Sequence, residues 1–245
     1  MNRFANKTVL VTGGTSGIGL AAAQAYAAEG ASVIVTGRDK AALDAARRAL
    51  GATARAYRND AASPADSREL AAALHEDSVR LDAVFINAGV AKFAPFDQVD
   101  EALWDQSFDT NVKGAYFQIQ ALLPLLNAGA AIVLNGSINA HIGMPSSSVY
   151  AASKAALVSL AKTLSAELLP RGVRVNVVSP GPVSTPLHGK LGFDPATLDA
   201  LAGQIPLGRF GTPAELASTV LHLSAAESAY IVGTEIIVDG GMSQL

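Results

Sequence analysis

Short runs rich in Val, Ile, Thr and Ala alternate along the chain with longer stretches in which apolar residues recur at helical spacing. The runs Thr8–Thr12, Ser32–Thr36, Ala54–Arg58, Ala83–Asn87, Ala130–Asn135, Val173–Ser179 and Ile236–Asp239 read as strands. Between them, Ile18–Glu29, Lys40–Leu50, Pro64–Ser78, Glu101–Asn127, Ser148–Leu169 and Pro213–Ser224 read as helices, several opened by Ser, Asp or Thr caps. Pro124 falls late in the fourth of these and is expected to kink or end it. Strands separated by helices predict one α/β layer structure, a seven-stranded parallel sheet, doubly wound. No linker or low-complexity segment divides the chain, so a single domain over residues 1–245 is expected. The least regular piece is Pro180–Pro206. A long connection leaving a strand's carboxyl end suits a substrate lid, expected around 183–206.

Composition narrows the partner. Half of the 245 residues are hydrophobic and only 6% aromatic, so the core must be built from Ala, Val, Leu and Ile. Net charge is −3 with no block of like charge, which points away from nucleic acid and anionic lipid and toward a small molecule. The chain has no cysteine, excluding disulfides, thiolate nucleophiles and Cys-ligated zinc. His75, His141, His188 and His222 lie far apart without metal-ligand spacing, so no metal site is expected. No apolar run reaches the ~18 residues of a membrane span, and the N-terminus lacks the pattern of a signal peptide. A cytoplasmic protein is the expectation.

The first strand runs into TGGTSGIG, with Gly13, Gly17 and Gly19 at the entry to the first helix. Glycine lets backbone approach a phosphate, and a helix N-terminus supplies free N–H groups and a positive dipole end. Thr15, Ser16 and Ile18 fill out this candidate loop. After the second strand come Gly37 and Arg38, where an arginine can stack on adenine and pair with a 2′-phosphate. That favours NADP(H) over NAD(H). Asp39 offers the alternative, as a carboxylate for ribose hydroxyls or merely a cap for the next helix. Asp60 and Ala61 after the third strand, and Asn87, Ala88 and Gly89 after the fourth, share this edge and are candidates for the adenine and ribose end.

Tyr150 and Lys154 lie four apart in SSSVYAASKAAL and so share a helix face. A phenol titrates near 10 and is a poor acid or base at neutral pH. At an effective dielectric near 20, a cation about 4 Å away contributes about 4 kcal/mol, enough to bring it toward working pH. Ser137, ending the fifth strand in LNGSINA, could bond a substrate oxygen. Asn111 in TNVKG, expected in the preceding long helix, could complete a proton path through water and Lys154.

In order and spacing, TGGTSGIG, NAG, TNVKG, the serine thirteen residues before YAASK, SPGPVSTP, PLGRFGTPAELA and the terminal VDGG resemble the short-chain dehydrogenase/reductase family across essentially the whole chain. The resemblance is strongest to bacterial NADP-preferring secondary-alcohol dehydrogenases, that is, carbonyl reductases. It implies a Rossmann-type fold and a catalytic tetrad of Asn111, Ser137, Tyr150 and Lys154. It further implies that Tyr150 protonates a carbonyl as hydride arrives, while Lys154 also holds the nicotinamide ribose. Pro180, Gly181, Val183 and Thr185 should flank the nicotinamide, and a homotetramer is expected. Many NADP users of the family carry a basic residue in the glycine loop, where this chain has Thr15 and Ser16.

The expected reaction is therefore hydride transfer between NADP(H) and a secondary alcohol/ketone pair. Reduction of 3-oxoacyl thioesters and sugar oxidation share every motif. Val90, Asn139, His141, Met144, Pro182 and the segment 187–205, with Leu187, Leu191, Phe193, Leu198 and Leu201, form the candidate substrate wall. A non-catalytic NADP-binding regulator would not need all four tetrad groups. A serine hydrolase built on Ser137 lacks both the GxSxG context and an evident histidine base.

Overall fold

The computed structural model describes residues 2–186 and 194–245. Strands β1 (Thr8–Val11), β2 (Ser32–Gly37), β3 (Arg55–Arg58), β4 (Leu81–Ile86), β5 (Leu126–Asn135), β6 (Arg174–Pro180) and β7 (Glu235–Val238) form one parallel sheet in the order β3-β2-β1-β4-β5-β6-β7. Helices α1 (Gly17–Ala28), α2 (Lys40–Leu50), α3 (Pro64–Glu76), α4 (Glu101–Phe108), α5 (Gly114–Leu122), α6 (Ser148–Leu168), α7 (Pro195–Gly203) and α8 (Pro213–Ser224) supply the connections and flanks. The strands are apolar because both faces of the sheet are covered. Val9, Val11, Val33, Val35 and Phe85 face the layer of α1 and α8, where Tyr26, Leu216 and Val220 are buried. Leu10, Ile34, Val84, Ile132 and Leu134 face the other, with Leu70, Ile119 and Leu157 of α3, α5 and α6. The strict alternation along β1 thus feeds two cores.

Helix starts follow the capping chemistry. Asp39 accepts from the Ala42 N–H at 2.7 Å, Ser63 from Asp66 at 3.1 Å, and Asp100 from Leu103 at 2.7 Å. Thr212 and Glu215 form a reciprocal capping box on α8.

Two expectations need correction. The helix expected over 101–127 is not continuous. It breaks into α4, a π-turn at Asp109–Lys113, α5 and a 3-10 turn at Leu123–Leu125, and β5 begins at Leu126. Pro124 cannot continue the ladder, and the freed carbonyls of Leu123 and Pro124 accept from Arg171 at 3.0 Å and Arg80 at 2.6 Å. The stretch 180–206, expected to be irregular, contains α7, opened by Asp194 accepting from the Thr197 N–H at 2.7 Å. An Asp-Pro start followed by Leu198 and Leu201 at helical spacing is the signal that marks it.

The sheet order reverses direction at β1, whose neighbours are β2 and β4. A crevice therefore opens beyond the carboxyl ends of β1 and β4, where open α/β sheets take their ligands.

Candidate active site

Thr12, one residue past β1, accepts the Asn87 and Ala88 N–H groups on its Oγ1 at 2.9 and 3.0 Å, which pins the turn after β4 to the turn after β1. The chain then enters the glycine turn with Gly13 at φ +62° and Gly17 at φ +53°, backbone that a side chain would strain. A Cβ on Gly19 would stand 2.3 Å from the Gly13 carbonyl oxygen, so α1 can lie this close to β1 only without one. Ser16, the N-cap of α1, makes no side-chain cap bond, which leaves the first turn of the helix for an anion.

A cavity of about 310 Å³ runs along this edge. Gly13, Thr15, Ser16, Gly17 and Ile18 form one wall, Asn87, Ala88 and Gly89 another, and Arg38, Asp60 and Ala61 close the far end. Thr185 completes the near end. The uncapped helix start and the left-handed glycines fit a nicotinamide dinucleotide. Gly19 supports the turn from beneath rather than lining the cavity. Pro180, Gly181 and Val183 also lie outside the wall: Pro180 is paired to Val238 in the sheet, Val183 is buried beside Gly211, and a Cβ on Gly181 would come within 2.6 Å of Asp239.

At the far end, Arg38 is exposed on the wall, whereas the Asp39 carboxylate is engaged at the start of α2. A Cβ on Gly37 would fall 2.8 Å from Thr15 Cγ2, which explains the glycine there by packing. Asp60 turns its own carboxylate onto the Ala62 N–H at 3.1 Å.

The expected tetrad converges at the near end. Tyr150 and Lys154 stand one turn apart on α6, with the Ser137 hydroxyl acting on the phenol. Ser137 caps the 3-10 turn Ile138–Ala140, accepting from the Asn139 N–H at 3.2 Å. The Phe93 ring packs edge-on to Tyr150 with centroids 5.5 Å apart. Lys154 is only 5% exposed and donates to the Asn135 carbonyl at 2.7 Å. Burial pushes its ammonium down to about 8.

The phenol departs from the sequence expectation. Burial pushes Tyr150 up from its ordinary value, and the Ser137 hydrogen bond offsets only part of that. The Lys154 ammonium lies 5.7 Å from the ring centroid, and burial rather than its charge governs the phenol. Asn111 differs too. It sits in the π-turn rather than an α-helix, and its amide is occupied: Oδ1 accepts from the Val90 N–H at 2.8 Å, and Nδ2 donates to the Val90 carbonyl at 2.9 Å and to Ser153 Oγ at 3.0 Å. The side chain clamps the loop after β4. A Cβ on Gly89 would lie 3.1 Å from Asn111 Oδ1 and 3.6 Å from Lys154 Nζ, so this glycine keeps the two side chains in one small space.

Of the expected substrate wall, Val90 lines the groove, and Asn139 contacts Met144 Sδ at 3.3 Å beside Ser137. His141 instead bonds Glu235. Pro182 lines a separate cavity of about 90 Å³ with Arg209 and Asp239. Leu187, His188, Leu191 and Phe193 lie outside the described residues. The sequence reading missed Thr36, Asn59, Thr110 and Asn135 in the groove wall. Asn135 carried a usable signal, since it ends its strand beside Asn87 as a second polar residue at the carboxyl edge.

Comparison with known proteins accounts for this arrangement. A family model described as enoyl-(acyl carrier protein) reductase matches residues 13–243. The chain is 34% identical to 2-(S)-hydroxypropyl-CoM dehydrogenase 3 of Xanthobacter autotrophicus, covering 100% of this chain and 99% of the relative. It is 35% identical to a 3-oxoacyl-(acyl-carrier-protein) reductase of Thermotoga maritima, covering 98% and 99%. The solved RhlG/NADP active-site complex of Pseudomonas aeruginosa superposes with a TM-score of 0.92 at 34% identity, covering 99% of both chains. The same seven-stranded sheet and whole-length matches, found in oxidoreductases throughout, place the chain in the short-chain dehydrogenase/reductase family.

Proposed function

We propose that the chain interconverts a secondary alcohol and a ketone with NADP(H), using Tyr150 as the proton donor in reduction and acceptor in oxidation. The observation that carries this reading is the glycine-walled groove ending at Gly89, where Asn111 Oδ1 and the Lys154 ammonium crowd together one helical turn from Tyr150. The cofactor, bound along that groove, supplies or accepts the hydride. Ser137 holds the substrate oxygen. Tyr150, kept protonated at neutral pH by burial, gives its proton to that oxygen. Lys154 holds the nicotinamide ribose and steadies the phenolate that forms. Asn111 fixes the Val90 loop against α6, which keeps the lysine's surroundings in place.

Arg38 at the far end, with Asp39 engaged elsewhere, favours the 2′-phosphate of NADP(H). The NADP complex of the Pseudomonas aeruginosa relative agrees with that choice. The Xanthobacter relative's name, a dehydrogenase of a secondary alcohol, favours alcohol/ketone substrates. The Thermotoga relative supports 3-oxoacyl thioesters as the second reading. For assembly, exposed Trp104 on α4 and Tyr116 on α5, with Phe96 beside them in sequence, support the homotetramer expected from the family.

Turnover of NADPH with a panel of small ketones and 3-oxoacyl thioesters tests the reading. Tyr150→Phe should retain the fold and lose about 10³-fold or more of kcat. Near-normal turnover in a folded Tyr150→Phe would overturn the mechanism.

A further inference from the structure

In the register of β4 against β5, Ile86 lies beside Leu134, so the next residues, Asn87 and Asn135, leave the sheet side by side at its carboxyl edge. Asn135 Nδ2 donates to Asn87 Oδ1 at 3.0 Å. The Asn87 amide in turn donates to the Thr12 and Gly13 carbonyls at 3.0 and 3.2 Å, and so grips the glycine turn from below. On its other side, the Asn135 main-chain carbonyl receives the buried Lys154 ammonium at 2.7 Å. Asn135 Oδ1 is itself buried without a partner, a cost that a residue serving only to fill space would not carry. Valine or leucine would suit this strand end better if packing alone were at stake, as at Val133 and Leu134 just before it.

We propose that Asn135 is a positioning residue that locks the nucleotide turn to the end of β5 where the Lys154 ammonium docks: its amide orients Asn87, and its carbonyl anchors Lys154. The two halves of the groove, the phosphate turn and the Lys154 end, are thereby set at one distance before any ligand arrives. A dinucleotide spanning both then meets a site that needs no reordering. The inference deepens the proposed function and rests on the groove being the dinucleotide site.

Asn135→Leu separates the two parts of the link, because it removes the amide donor while leaving the main-chain carbonyl. The test has a readout independent of any ligand: hydrogen exchange at the Asn87 and Ala88 amides, both of which donate to Thr12 Oγ1. Exchange there should accelerate about tenfold or more in the variant, because the turn is no longer held from β5. NADPH affinity, titrated without substrate, should weaken about tenfold, and combining the change with Asn87→Ala should add little further. Ile132→Ala, a core truncation on the same strand, should lower the melting temperature without singling out those two amides. If Asn135→Leu does not fold, Asn135→Ser, whose hydroxyl is too short to reach Asn87, reads the same way.

Unchanged exchange at Asn87 and Ala88 overturns the proposal. Faster exchange with unchanged NADPH affinity overturns it as well, because the link would then hold the turn without presetting the site for the dinucleotide. A wild-type protein that binds no dinucleotide overturns the proposed function instead, and the wild-type titration reveals that before any variant is compared.

Discussion

Glu235 Oε1 lies 2.7 Å from His141 Nε2, which ties the turn following Ser137 to the first residue of β7. The same oxygen accepts from Ser179 Oγ, whose residue is fully buried on β6. A Cβ on Gly136 would collide with that hydroxyl, so the glycine before Ser137 is what lets β5 and β6 close here. Strands β6 and β7 and the turn after Ser137 thus meet at one carboxylate, with the end of β5 packed against the Ser179 hydroxyl.

Glu235→Ala should therefore act at two levels. It leaves a buried hydroxyl without its acceptor and releases His141, and should cost about 1–3 kcal/mol of stability in urea unfolding. It should also loosen the turn that carries Ser137 and Asn139, lowering kcat/KM about tenfold with cofactor affinity unchanged. Loss confined to cofactor binding would contradict this placement of the clamp.

How much of this was legible beforehand differs by element. The strands and most helices could be read because burial on both faces makes apolar runs, and because Asp39, Ser63 and Thr212 sit where caps belong. The break at Asp109–Lys113 could not be read. TNVKG is poor in helix formers, which weakens an α-helix without specifying a π-turn; Asn111 reaches back to Val90, a contact 21 residues away. A Cβ on Gly114 would lie 1.8 Å from the Ala61 carbonyl, a packing demand that the helix's own sequence cannot announce. The four residues proposed as the tetrad stood out as spacing and motif, but the phenol's environment did not, since burial is a property of the assembled fold. Glu235, remote in sequence from Ser137, carried no signal at all.

Lys154 links stability to pH. Its folded value, about 8, lies below its ordinary 10.5, so the folded state disfavours the ammonium. Between those two values the unfolded chain binds more protons, and this group's contribution makes stability rise with pH. The full penalty, about 3 kcal/mol, is present below about pH 8 and gone above about pH 10.5. Lys154→Met should thus gain its largest stability relative to wild type near pH 7, with the difference shrinking toward pH 10. Losing the bond to the Asn135 carbonyl subtracts about 1 kcal/mol from that gain at every pH. Urea unfolding of both proteins across this range gives the comparison, and a pH-independent difference would contradict the burial argument.

Gly19→Ala tests the turn without touching a charge. The added methyl would stand 2.3 Å from the Gly13 oxygen and 2.5 Å from Asn87 Nδ2. Backbone and a doubly bonded amide must both move, so the change should cost about 3 kcal/mol or more and abolish measurable NADPH binding. Gly51→Ala is the contrast: φ there is +95°, but nothing lies within 4 Å, so only backbone strain, about 1–2 kcal/mol, is expected. Thermal melts with and without NADPH distinguish the two.

The proposed preference for NADP(H) rests on Arg38. It is exposed at the far wall, and the neighbouring carboxylate that could compete for a ribose hydroxyl is held at the α2 N-terminus. A guanidinium–phosphate contact is worth about 1.5–3 kcal/mol, or about 10–100-fold in kcat/KM. Arg38→Ala should lose that much with NADPH and change less than about threefold with NADH, because the adenine and ribose walls remain. Asp39→Asn keeps a capping oxygen for Ala42 and should leave the ratio nearly unchanged, whereas a carboxylate engaged with ribose would lose NADH activity. Steady-state kinetics with both cofactors on the three proteins tests the assignment. Equal losses with NADPH and NADH in Arg38→Ala would show that the arginine stacks on adenine rather than reading the phosphate.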